Sequence, residues 1–75
     1  MKKMIEVISV NEACKILAEY GYNITPQKLR LGLTQGVYPF GDAIKFKQWD
    51  FDVYKHLLLK WIRERATTSE DEEMV

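Results

Sequence analysis

A small α+β domain, ordered as two short helices, a β-hairpin and a third helix, is predicted by three observations. Two helix-start signals are each followed within a few turns by a glycine stop, an alternating apolar stretch comes next, and helical spacing returns near residue 54. At 75 residues the chain has room for one domain with one modest core. Two Trp, four Tyr and three Phe supply enough apolar surface for that core to form without a disulfide or a metal.

The first helix is read from its ends. Ser9 followed by Asn11 and Glu12 fits a capping box, in which the hydroxyl serves an early backbone N–H and the carboxylate reaches back, so the helix begins at Val10. Ala13, Ile16, Leu17 and Tyr20 recur at helical spacing, and Gly21 is suited to a left-handed stop, giving a helix over about residues 10–20. Thr25 and Pro26 repeat the start signal, because a Thr oxygen caps while Pro lacks an N–H that the first turn leaves unpaired. Leu29 and Leu33 point inward and Gly36 ends this second helix, which covers about residues 26–35.

Beyond Gly36, the run from Val37 to Gly41 breaks the helical period. Ala43, Ile44 and Phe46, then Trp49, Phe51 and Val53, have strand character, with Lys47 and Gln48 as the turn between them. From Val53 or Tyr54 to near Ala66 the spacing is helical again. Leu57, Leu58, Trp61 and Ile62 form one stripe, and His56, Lys60 and Arg63 the opposite, solvated face. Two helices joined only through Gly21 to Thr25 make a helix-turn-helix, and a hairpin behind the second helix is a wing. The predicted fold is therefore a small winged helix-turn-helix domain over residues 1–66. Residues 67–75, Thr- and Ser-led and then acidic, are expected to form a disordered tail.

The formal net charge of zero hides an asymmetry. Residues 1–66 hold all eleven Lys and Arg against seven acids, leaving +4, while Glu70, Asp71, Glu72 and Glu73 sit in the tail. A modest positive field on the folded part suits a polyanion. The acidic block is expected to compete with DNA for that field, so deleting residues 67–75 should raise DNA affinity at low salt; unchanged affinity in a titration would count against it.

Gln27, Arg30, Leu31 and Thr34 are spaced 0, 3, 4 and 7, which gathers them on the face of the second helix turned away from Leu29 and Leu33. Arg reads guanine, Gln reads adenine and apolar carbons meet the thymine methyl, so this is the chemistry of a recognition helix; Lys28 and Gln35 flank it for phosphates, and the capping Thr25 is counted with the DNA-binding set. The same residues also suit an ordinary solvated surface. Lys45 and Lys47 on the wing are expected to project from one side of the hairpin, toward a phosphate backbone or a minor groove, or to guard an edge strand against aggregation. Gly32 within a helix implies close approach of the first helix or of DNA backbone.

Little points to catalysis. Cys14 is the only cysteine and His56 the only histidine, so one chain offers no internal disulfide and no Cys/His zinc site. Cys14 reads as a small core residue, and Gly32, Gly36 and Gly41 match no phosphate-cradling loop. No enzyme activity, cofactor, metal or small-molecule substrate is expected. Met4, Ile5, Val7 and Ile8, broken by Glu6 and Ser9, make neither a signal-peptide core nor a membrane span, so a cytoplasmic protein is expected.

The block LRLGLTQGVYPFGDAIK, residues 29–45, resembles small phage and mobile-element proteins of the excisionase type, which share a winged-helix fold with MerR-type regulators. The opening ISVNEACKILAEYG, residues 8–21, resembles their first helix, and the likeness extends over about residues 8–62. The resemblance implies a non-catalytic DNA-bending accessory factor that binds double-stranded DNA near attachment sites with an integrase or recombinase, or with copies of itself, or else a small phage transcriptional regulator. It implies that Gln27, Lys28, Arg30 and Thr34 face the major groove and that Lys45 and Lys47 meet backbone or minor groove. The alternative is a winged-helix protein-interaction module without DNA binding, using the third helix or the Tyr38–Phe40 surface on a protein partner.

Overall fold

The computed structural model describes residues 4–66; the acidic tail and its expected disorder lie outside them. It is a small α+β domain of order β1 (Val7–Ile8), α1 (Val10–Glu19), α2 (Pro26–Thr34), β2 (Gly41–Lys45), β3 (Trp49–Tyr54) and α3 (Lys55–Arg65). The order of helix pair, hairpin and final helix is compatible with a winged helix-turn-helix.

The helix ends are local chemistry. Ser9, in extended backbone, accepts from the Glu12 N–H at 3.0 Å and donates its hydroxyl to the Glu12 carboxylate at 3.5 Å. Thr25 Oγ1 likewise accepts from the Lys28 N–H at 3.2 Å, one residue ahead of Pro26. Gly21 and Gly36 both take positive φ, 91° and 71°. Each is followed by a residue whose N–H reaches back to a carbonyl five residues earlier, Tyr22 to Leu17 and Val37 to Gly32, so both helices end in a Schellman motif.

The sheet is antiparallel, in order β1-β3-β2. Strand β1 is a feature the sequence pattern did not mark. Val7 pairs with Tyr54 and Ile8 with Val53, and the Lys55 N–H adds a bond to the Glu6 carbonyl at 3.0 Å. Two residues form a strand here only because β3 offers a partner far along the chain. The hairpin register sets Lys45 opposite Trp49, Ala43 opposite Phe51 and Gly41 opposite Val53. Phe46, expected within the first strand, instead belongs to the three-residue connection Phe46–Gln48, where its N–H donates to the Gln48 carbonyl at 3.1 Å.

Ile8, Val10, Ala13, Leu17, Leu29, Leu33, Phe40, Val53, Leu58 and Ile62 make one core drawn from every element except β2. Two apolar stripes end sooner than their spacing suggested. Tyr20, beyond the last turn of α1, is 60 % exposed, and Leu57 is exposed on α3 while Leu58 and Ile62 are buried. Cys14 is half-buried against this core.

The loop after α2 contributes more to the core than its irregular pattern implied. Phe40 is fully buried, its ring stacked on Tyr38 at 5.2 Å and meeting Trp61 of α3 edge-on at 5.2 Å. Tyr22 joins through Trp61 at 5.8 Å and places its hydroxyl 3.3 Å from that of Tyr38. Within the Tyr38–Phe40 segment Phe40 is thus interior and Tyr38 half-buried, which leaves Pro39 as its exposed residue.

The nearest neighbour of Gly32 is one the sequence did not point to, the Tyr38 ring of the loop after α2. A Cβ there would run into the Tyr38 ring. Gly32→Ala is therefore expected to destabilise the domain by about 1–2 kcal/mol, because overpacking costs about 1–3 kcal/mol while helix propensity returns at most about 1. A urea midpoint shift should show it, and Tyr38→Ala should make the two losses less than additive.

The tyrosine pair predicts a pH window. The hydrogen bond to Tyr22, with burial and the nearby Tyr22 charge behind it, pushes the Tyr38 hydroxyl up to about 12. An unfolded tyrosine titrates at about 10. With the folded value raised, this contribution to stability is whole below pH ~10 and is lost as pH rises through the folded value. Tyrosinate absorbance with circular dichroism should place alkaline destabilisation in that interval, and Tyr22→Phe should lower the pH at which Tyr38 titrates.

Candidate nucleic-acid interface

Burial divides α2 cleanly. Leu29, Gly32 and Leu33 face the core, while Gln27, Lys28, Arg30, Leu31 and Gln35 are exposed on the other side. Leu31 is 57 % exposed, a large apolar side chain held among polar neighbours. No acidic residue occurs between Glu19 and Asp42, so this face and the turn before it carry only positive side-chain charge. The N-terminal end of the helix, whose dipole favours anions, has no carboxylate in its first turn to neutralise it.

Two members of the expected set are partly occupied elsewhere. Thr34 is only half-exposed, and its hydroxyl donates to the Leu31 carbonyl at 2.6 Å, which leaves it an acceptor. Thr25 spends its oxygen on the Lys28 N–H and acts first as a cap. Both hydrogen bonds are local competitors for side chains that otherwise read as contact groups. Gln27, Lys28, Arg30, Leu31 and Gln35 remain as one unobstructed surface.

The wing differs more from its expected form. Lys45 closes β2 on the same sheet face as Ala43 and Phe51, whereas Lys47 lies in the turn, so strand alternation does not place both ammonium groups on one side. The opposite face carries Asp42 paired with Asp52, and Asp50 beside Ile44. Like charges directly opposed across strands are destabilising, and here Tyr54 relieves them by donating its hydroxyl to Asp42 Oδ2 at 2.6 Å. That bond, with a lesser part from desolvation and both aspartate charges, raises the Tyr54 pKa. The flank of the wing is acidic, and only its tip is cationic.

The cationic stripe of α3 stays solvated: His56, Lys60 and Arg63 are all exposed. Arg65 extends the aromatic cluster instead, its guanidinium 4.4 Å above the Trp61 ring. A separate apolar groove of about 670 Å³ runs between the start of the chain and α3, lined by Met4, Ile5, Glu6, Tyr54, His56 and Leu57. Burial pushes the Cys14 thiol up and the Arg30 charge opposes it, so the thiol stays protonated near neutrality. Among the described residues, no group of three His, Cys, Asp or Glu side chains is placed to hold a metal, and no helix is long and apolar enough to cross a membrane.

Sequence reasoning missed the apolar hairpin tip, where Phe46 is 81 % exposed and Trp49 44 %. The signal available was the placement of an aromatic residue between two lysines in a short connection. No family model, curated protein or solved structure matches the chain.

Proposed function

We propose that this chain is a sequence-specific DNA-binding accessory protein of a phage or mobile element, excisionase-like in directing recombination or else a small transcriptional regulator, acting in the cytoplasm on double-stranded DNA. The observation that carries the proposal is the exposed, acid-free face of α2. It offers one guanidinium, one ammonium, two amides and an exposed leucine from Gln27 to Gln35 on a helix whose other side is anchored in the core. Arg30, Gln27 and Leu31 read base edges, while Lys28, Gln35 and the helix N-terminus hold phosphates.

Fluorescence-anisotropy titrations of the full chain at two salt concentrations test this, using random duplex and the attachment-site DNA of the host element. Binding should weaken steeply with salt, as phosphate contacts require. Absence of binding to either duplex at low salt would refute the proposal. A second reading, a protein-interaction module, is favoured by the acidic wing flank and by the apolar groove beside Leu57. It requires a domain with no DNA affinity at any salt concentration.

A further inference from the structure

We infer that Phe46 is an apolar wedge, carried on the hairpin tip between Lys45 and Lys47, that enters the minor groove of duplex DNA and unstacks one base step. The inference rests on the DNA-binding reading above and assigns a second contact, separate from the α2 face.

A phenylalanine 81 % exposed at a tight turn leaves most of its ring outside the core. Such short connections ordinarily take Gly, Asn or Asp. The tip backbone is closed on itself by the Phe46 N–H bond to Gln48, and Trp49, opposite Lys45 in the register, stacks on Phe51 at 6.3 Å and 25°. Phe51 in turn packs against the core. The ring at the apex is therefore mounted on a rooted aromatic stem.

Charge decides both the partner and the direction of approach. Lys45 and Lys47 flank the ring as neighbours, suiting the phosphates that border a groove, whereas an apolar protein surface has no need of them. Asp42, Asp50 and Asp52 on the outer face repel the same phosphates. The wing can then meet DNA only end-on, which presents Phe46 first. Apolar side chains entering from the minor groove partly unstack base steps and kink the duplex.

The test uses the full chain and a set of short A·T-rich duplexes containing TA steps, which deform most easily. The fluorescent adenine analogue aminopurine replaces each adenine in turn. Wild-type protein should raise the fluorescence at one step. Phe46→Ala should abolish that rise and weaken binding by about tenfold, within the range produced by losing one base–aromatic stack; Phe46→Trp should retain both. Lys45→Ala and Lys47→Ala should each lower the salt slope by about 1. If wild type binds without a fluorescence rise at any step, or Phe46→Ala behaves as wild type, the wedge is overturned and the α2 reading stands. If wild type binds no duplex at low salt, both fall. The tip is exposed, so circular dichroism should show the variants folded.

Discussion

Phe40→Ala is expected to leave most of the chain unfolded at ambient temperature. Phe40 is fully buried, and two of its faces are satisfied by rings: Tyr38 stacked at 5.2 Å and Trp61 edge-on at 5.2 Å. Its carbonyl also receives the Tyr54 N–H at 2.9 Å, tying the loop after α2 to the end of β3. Truncating a buried Phe to Ala costs about 3–5 kcal/mol. A domain of this size draws only about 3–5 kcal/mol from its core, so the loss is comparable to the whole margin. Far-UV circular dichroism and urea titration read the outcome directly. Phe40→Leu, which keeps most of the volume, should stay folded and lose about 1 kcal/mol. A cooperative Phe40→Ala transition near the wild-type midpoint would mean that the aromatic cluster is peripheral to stability.

What could be read from the sequence follows from how locally each feature is determined. Ser9, Thr25–Pro26, Gly21 and Gly36 act within four or five residues, and each cap or stop lies where its chemistry puts it. The exposed face of α2 was legible for the same reason, since the helical period and two inward leucines fix which side is left outside. The features missed depend on partners outside that four- or five-residue reach. Strand β1 exists because Val53 and Tyr54 pair with it, and Gly32 is small because Tyr38 folds back over it. The acidity of the wing flank emerges only when the register sets Asp42 against Asp52. Periodicity gave Lys45 and Lys47 a common side, but the strand ends at Lys45 and carries no alternation into the turn.

Reversing charge at Lys28 and Arg30 together, as Lys28→Glu with Arg30→Glu, is expected to weaken DNA binding by at least about a hundredfold and to leave the fold intact. Both residues are exposed on α2, and the neighbouring buried positions Leu29 and Leu33 are untouched. A bidentate arginine–guanine contact contributes about 1–3 kcal/mol, and every ~1.4 kcal/mol is a factor of ten in affinity. Removing one phosphate contact adds to this, and the new carboxylates repel the backbone that the old cations attracted. The two substitutions also separate by what they read. Arg30→Ala alone should reduce discrimination between duplex sequences, whereas Lys28→Ala alone should weaken all sequences alike and lower the salt slope by about 1. A protein-interaction module working through its apolar groove would be indifferent to all of these changes. Anisotropy titrations of the variants against specific and random duplex therefore decide between recognition by α2 and a solvated helix face.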